Sequence, residues 1–442
     1  MGQQEIENLN NWHLSKYNIF STEETENKKL PCINLFKGTY SELDLEDIKK
    51  LYHLKEINDI EKELSGFIKQ GIIVNFDELT LLQSKLLISF VGRGTLNITL
   101  VTTMKCNFNC PYCFETHDGV KMSLEIQDKV FELIKHALMA SGSKNLYITW
   151  YGGEPLLAID VIENLSKKII DYTKEKNINY NSGIITNGYL LNQEKINILE
   201  NNNVSNIQIT LDGLEENHNK TRCLIDGTST FNKIIDNLYN IKFKGRINIR
   251  NNIHENNFQD SKKLQEIILD IKNKTHNDIN YYQAVIVNNP AEERKNQVNF
   301  LNEDLISKIE AEKYSKDFLC GKVSFCGAQK LWSIVIGSDG YLYKCWEDVW
   351  DKNRSFGKVD NWNPYNAIYS SKNLNSLLKY INSIPLLNDE ECKQCAWLPL
   401  CAGGCPSKKI YHNIKCISFK NNPNYFIKKV KKYTIEKMTS VK

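Results

Sequence analysis

Cys106-Asn107-Phe108-Asn109-Cys110-Pro111-Tyr112-Cys113 constrains this chain more than any other stretch, because it puts three cysteines into eight residues. A tight loop with the spacing C-x3-C-x2-C can offer three thiolates to one metal centre. Cysteine thiolates hold 4Fe–4S clusters, which ordinarily take four ligands, so three leave one iron open to chelate a small molecule. A structural zinc site is the alternative, with His117 as the fourth ligand. The neighbouring Phe108, Tyr112 and Phe114 suit a cluster shielded from water.

The chain has thirteen cysteines. Eight of them lie between Cys320 and Cys416, and only Cys32 and Cys223 stand alone, which reads as small buried side chains. Such numbers make a disulfide framework in small exported domains. Here the chain is 442 residues long, and Met1–Phe20 has no charged start followed by an apolar block. Ile6 stands where a myristoylation signal needs Ser or Thr. The most apolar stretch, Leu79–Val91, is short and carries Lys85, so no bilayer span is expected. A cytoplasmic protein is expected, with its cysteines serving metal or redox chemistry. The net charge of +3 gives no argument for nucleic acid. Its 41% hydrophobic and 25% charged residues are ordinary for a globular chain with a sizeable core.

Residues 1–95 read as a small module of their own, more acidic than the rest. Trp12–Phe20 and Leu30–Phe36 are expected strands, Leu45–Leu54 and Ile57–Lys69 expected helices, and Ile72–Val74 a closing strand. This order suggests a winged-helix-like fold. From residue 96 to about 305, strands and helices alternate. The expected strands are Asn97–Thr103, Leu146–Tyr151, Gly183–Thr186, Asn206–Leu211, Arg246–Asn252 and Tyr281–Val287. Between them Ser123–Ala140, Leu156–Thr173, Asn192–Asn201, Phe231–Lys242 and Asp260–Lys272 show helical spacing. Such alternation predicts a parallel sheet, and six units predict an α/β fold that is a partial (β/α)6 TIM-like barrel with its chemistry in the loops after the strands. Farther on, Trp332–Ile336 and Tyr341–Trp346 flank the turn Ser338-Asp339-Gly340 as a hairpin. Residues 421–442 form a lysine-rich tail, read as a solvated helix face.

The three-cysteine loop resembles the defining motif of the radical S-adenosylmethionine (radical SAM) enzymes. In that family the open iron binds the amino and carboxylate groups of S-adenosyl-L-methionine. The reduced cluster then releases methionine and a 5′-deoxyadenosyl radical, which takes hydrogen from an unactivated C–H bond. Gly152-Gly153-Glu154-Pro155, after the second strand, is similar to the family's GGEP motif, which contacts the methionyl amino group. The glycines allow close backbone approach to a ligand, and the carboxylate and carbonyls can accept from an ammonium. Thr186-Asn187-Gly188 is a family-like turn near the ribose, and Arg222 is the residue that could pair with the methionyl carboxylate. Tyr112 and Phe114 join the expected cofactor-binding set.

The later cysteines resemble the SPASM domain of peptide-modifying radical SAM enzymes, which assigns residues 306–420 to a cysteine-rich iron–sulfur domain. That resemblance implies one auxiliary 4Fe–4S cluster on Cys320, Cys326, Cys345 and Cys405. A second would sit on Cys392, Cys395, Cys401 and Cys416, making three clusters with the one on Cys106, Cys110 and Cys113. Two four-thiolate zinc sites, in a zinc-binding interaction protein, are the alternative. Full ligation suits electron transfer; without Cys320 the first auxiliary cluster could bind substrate sulfur.

The resemblance extends to clostridial maturases of ribosomally made peptides. It implies a precursor peptide whose leader adds as a strand to the N-terminal module, and an electron donor such as flavodoxin or ferredoxin. A thioether link from a cysteine sulfur to a carbon is the expected product, with carbon–carbon cross-linking next. Sulfatase maturases, which make formylglycine, carry an aspartate base just after the hairpin cysteine. Trp346 stands there in this chain, with Glu347 and Asp348 as offset catalytic candidates.

Overall fold

The structure is a computed structural model and describes residues 12–91, 94–115, 117, 119–286, 301–319, 326–361, 374–385, 389–413 and 416–439. The chain divides into two compact units. The first is Met1–Phe90, Glu303–Cys326 and Asn382–Lys442, and the second is Val91–Asn302 and Gly327–Ile381.

In the first unit, β1 (His13–Leu14) pairs antiparallel with β5 (Ile73–Val74). Strands β2 (Asn18–Phe20), β3 (Leu30–Asn34) and β4 (Thr39–Leu43) form an antiparallel sheet in that order. The fourth strand escaped the sequence reading because Thr39-Tyr40-Ser41-Glu42 has little hydrophobic signal; it forms by pairing with β3. Asn34, buried, donates to Ser15 Oγ (2.9 Å), Asn18 Oδ1 (2.9 Å) and the Gly71 carbonyl (2.7 Å), which joins the strand layer to the helical segment. The apolar stretch before residue 92 is a helix, Glu78–Val91.

The lysine-rich tail differs from its expectation. Pro423–Thr439 is a helix that packs on the helix Glu303–Leu319 and on β3 and β4. Phe426, Ile427 and Val430 are buried, and the Phe426 ring stacks on Phe419 at 5.3 Å. Lys428, Lys429 and Lys431 pair with Glu23, Glu312 and Glu42. The charge run masked an apolar stripe at helical spacing on the opposite face.

The second unit is built on one sheet. Strands β6 (Thr95–Thr103), β7 (Asn145–Gly152), β8 (Asn179–Thr186), β9 (Val204–Leu211), β10 (Arg246–Ile253) and β11 (Asp278–Val285) pair side by side in parallel. Thus each of the six expected strands forms, although Val287 lies outside the described residues. The hairpin strands β12 (Ser333–Ile336) and β13 (Tyr341–Tyr343), followed by β14 (Gly357–Lys358), extend the same sheet. β12 runs parallel to β6 and the other two run antiparallel to their neighbours.

Strand alternation sorts the side chains. Leu96, Ile98, Leu100, Ile148, Trp150, Ile207, Ile209, Ile247 and Ile249 join one core with the helices Leu124–Ser141, Ile159–Glu175, Phe231–Asn240 and Ser261–Thr275. Their period-two neighbours take the other face. That face carries Tyr151, Gln208, Thr210, Arg250 and Asn252, all of which line a cavity. Among the described residues, no helix is long and apolar enough to cross a membrane.

Phe426→Ala removes a fully buried ring from the first unit. It should lower unfolding stability by about 3–5 kcal/mol in urea titration, whereas truncating exposed Ile435 should stay within about 0.5 kcal/mol.

Candidate active site

The cysteine loop leaves the end of β6 and is seated on the end of β7. Gly153 N donates to the Thr103 carbonyl at 3.0 Å, and Glu154 N to the Lys105 carbonyl at 2.9 Å. A Cβ on Gly152 would lie 2.1 Å from Thr103 O, and one on Gly153 2.5 Å from Lys105 O. Gly152 also has φ +139°. The glycines are therefore required by the chain's own backbone under the loop, quite apart from any ligand. Their other side lines the cavity.

Glu154 is fully buried below them. Its Oε1 accepts from Leu156 N (2.9 Å) and Thr186 Oγ1 (2.7 Å), and its Oε2 accepts from Asn187 N (2.7 Å). Burial raises its carboxyl above the ordinary range, and these donors pull it back. Asn187 Nδ2 donates to Asn107 Oδ1 at 2.8 Å, tying the turn after β8 to the cysteine loop. Pro155 is buried at the start of the turn Pro155–Ala158.

The third support comes from the end of β9. Tyr112 donates its hydroxyl proton to Asp212 Oδ2 and accepts from Arg222 Nη1 at 2.9 Å. Thr221 Oγ1 donates to the same Asp212 oxygen at 3.0 Å. Asp212 is absent from the expected site, yet it anchors both Tyr112 and, through it, Arg222. Arg222 is 8% exposed, so it is no surface residue, and its Nε, buried, has no hydrogen-bond partner.

Cys106, Cys110, Tyr112, Cys113, Phe114 and His117 line a cavity of about 260 Å³ together with Gly152, Gly153, Thr186, Asn187 and Arg222. Burial pushes the Cys106 thiol up to about 12. Burial also raises Cys110 to about 11 against the pull of the Arg222 guanidinium. Such thiols release their protons when a metal centre takes them. His117 Nε2 lies 3.2 Å from Cys113 Sγ. Among the described residues no three His, Cys, Asp or Glu side chains converge on a single-ion position.

Tyr151 and Glu115 line the same cavity and were not among the expected site residues. Tyr151 stacks on Trp346 (5.6 Å). Glu115 is buried beside Tyr151, and burial brings its carboxyl up to about 7. Glu347 lines the cavity. Asp348 does not: it is fully buried, accepting from Tyr380 Oη (2.5 Å) and Arg354 Nη1 (3.2 Å). The two catalytic candidates thus separate, one at the cavity and one inside the fold, because the short helix Trp346–Asp348 turns them apart.

Of the later cysteines, Cys392, Cys395, Cys401 and Cys416 belong to the first unit. Burial first, and then the nearby Cys395 and Cys416 thiols, raise Cys401 to about 11. Burial raises Cys392 to about 12, with Cys401 adding a smaller push. The four sulfurs therefore share a neighbourhood. Lys420 Nζ donates to Cys416 Sγ at 3.8 Å. Cys326 and Cys405 are exposed members of the same unit, Cys345 belongs to the other, and Cys320 lies outside the described residues.

Residues 100–257, which hold the cysteine loop and its three supporting strand ends, match the Radical SAM superfamily. The chain carries a radical SAM domain. It is 27% identical over 364 residues to a cysteine-type anaerobic sulfatase-maturating enzyme of Clostridium novyi, spanning 74% of this chain and 93% of that one. Among solved structures it resembles native anSMEcpe with bound AdoMet and Cp18Cys peptide. The TM-score is 0.59 at 21% identity, covering 79% of this chain and 100% of that one. It also resembles SuiB of Streptococcus suis, with a TM-score of 0.50 at 15% identity over 89% of this chain and 95% of that one.

Radical SAM enzymes use S-adenosylmethionine on a 4Fe–4S cluster, and the cavity fits both. Three thiols line it for the iron, and the open Nε of buried Arg222 is a donor suited to a carboxylate.

Glu154→Ala should leave the buried donors of Leu156, Thr186 and Asn187 unmet and lower stability by about 3 kcal/mol or more, read by chemical denaturation. Asp348, raised by burial from 3.8 to about 6, gives a pH effect of known sign. The folded state binds its proton more tightly than the unfolded chain does, so this contribution is complete below pH 3.8 and is lost as pH rises through about 6. Asp348→Asn should flatten that fall in urea midpoints measured between pH 5 and 7.

Proposed function

We propose that this radical SAM enzyme matures a peptide, and that its product is a thioether between a cysteine sulfur and a carbon of the same peptide. The observation that carries the peptide reading is the cavity itself. The three cysteines and Arg222 line the same cavity as Tyr151, Trp346 and Glu347, so a side chain held there would lie beside the cluster site. Similarity to a sulfatase-maturating enzyme over 93% of its length supports a protein-derived substrate.

When bound, the cluster and S-adenosylmethionine would supply hydrogen-atom abstraction. The chain's own residues would do the rest. Arg222, held by Tyr112 and Asp212, would fix the methionyl carboxylate, and the Gly152–Gly153 backbone would border its amino group. Tyr151 and Trp346 would form an apolar wall that keeps water from the reacting carbon. Thioether formation removes two hydrogens from the peptide: one leaves as an atom to the cofactor, the other as a proton and an electron. The auxiliary cysteines, with clusters bound, would provide the electron's exit, and a flavodoxin- or ferredoxin-like donor its entry.

A second reading, cysteine oxidation to formylglycine, is favoured by the same relative. Against it stands Trp346, an indole without a basic nitrogen, at the position where sulfatase maturases are expected to carry the aspartate. Glu347 beside it lines the cavity and would be the base in that reading.

The test is anaerobic reconstitution with iron and sulfide, reduction, and mass spectrometry of cofactor and peptide together, using a cysteine-containing peptide as substrate. The expected outcome is 5′-deoxyadenosine and a peptide lighter by two hydrogens that retains its sulfur. A peptide that has lost its sulfur would establish formylglycine instead. Cys106→Ala should abolish 5′-deoxyadenosine formation. Zinc in place of iron, with no cofactor cleavage, would overturn both readings.

A further inference from the structure

The cavity holds a second arginine, Arg250, on β10. Arg222 serves the cysteine end, where its guanidinium acts on the Cys110 thiol. Arg250 sits elsewhere on the wall. Its Nε donates to Asn252 Oδ1 at 2.8 Å, and Asn252 Nδ2 donates in turn to Tyr112 Oη at 3.4 Å. This chain of bonds fixes the plane of the guanidinium, and among the described residues no hydrogen bond engages its terminal nitrogens. Among the described residues no carboxylate pairs with it.

The neighbouring strand adds further donors. Thr210 on β9 is in register with Arg250, and Gln208 lies two residues earlier on the same cavity-facing side. Tyr282 Oη donates to Gln208 Oε1 at 2.7 Å, so the amide oxygen is engaged and the NH2 group is the end left to donate. A half-buried cation, a hydroxyl and an oriented amide thus meet on one patch of wall. Such a set selects an anion, and the planar fork selects a carboxylate. Packing does not call for this arginine, because Ile247 and Ile249 already fill the helix-facing side of the strand.

We infer that Arg250, with Thr210 and Gln208, binds a carboxylate of the substrate peptide, an aspartate or glutamate side chain close to the cysteine that reacts. This rests on the peptide reading above and adds a sequence requirement to it. Val285 and Ile286, beside this patch, would cover the methylenes of such a side chain.

The test uses the full chain reconstituted anaerobically with its iron and with S-adenosylmethionine. Two synthetic probes, acetyl-Ala-Cys-Asp-Ala-amide and acetyl-Ala-Cys-Asn-Ala-amide, are titrated by calorimetry. The wild type should bind the aspartate probe about tenfold more tightly, and Arg250→Gln should bring the two probes to parity. Arg250→Lys, which keeps the charge but loses the fork, should retain part of the preference. Equal affinity in the wild type overturns the inference, and that comparison stands even if the glutamine variant does not fold. A preference that survives in Arg250→Gln overturns it as well. Loss of S-adenosylmethionine binding in Arg250→Gln with the preference intact would assign the anion to the cofactor and overturn it too. Formation of 5′-deoxyadenosine by the wild type, measured in the same samples, judges the radical reading separately.

Discussion

One buried carboxylate organises the site. Glu154 holds the turn after β8 and the start of its own turn through three accepted hydrogen bonds, while its backbone nitrogen holds the cysteine loop. Three consecutive strand ends are thereby fixed relative to one another before any ligand arrives. A buried carboxylate is tolerated only because each oxygen is met by donors. The tight approach of Gly152 and Gly153 to Thr103 and Lys105 is the steric half of the same constraint. Together they convert a flexible cysteine loop into one wall of a defined cavity.

The second organising element is the network of Tyr112, Asp212, Thr221 and Arg222. It places a cation next to thiols that burial keeps protonated until a metal takes them. Neutral thiols in a low-dielectric pocket resist ionisation, and a neighbouring guanidinium favours the thiolate form that a metal needs. Sheet geometry supplies the rest: alternation along β9 and β10 turns isoleucines toward the helices and Gln208, Thr210, Arg250 and Asn252 toward the cavity.

Much of this was legible in the sequence. The six parallel strands followed from the alternation of strands with helices, and the cysteine loop and the GGEP turn stood where strands end. The role of Asp212 was not legible because it depends on Tyr112, a hundred residues away. Arg250 carried a local signal, a charge at an alternate position in an isoleucine-rich strand, but only the fold shows that the alternate face encloses a cavity. The strand β4 and the buried side of the helix Pro423–Thr439 were hidden for a different reason. Both are polar in composition and acquire their structure from partners far along the chain. The pairing of β12 with β6 is likewise long-range and has no marker in either strand.

The first unit draws its second core from both extremes of the described chain. Tyr17, Ile33 and Leu35 pack in one cluster with Phe419, Phe426, Ile427 and Val430. Cys32, Leu43, Leu51, Leu54, Leu64, Ile72 and Ile73 form a small core of their own that can condense locally. The other face of that sheet cannot close until the helix Pro423–Thr439 has been synthesised, after the whole radical SAM domain. The strands of this sheet are therefore completed by a helix translated after the domain that separates them.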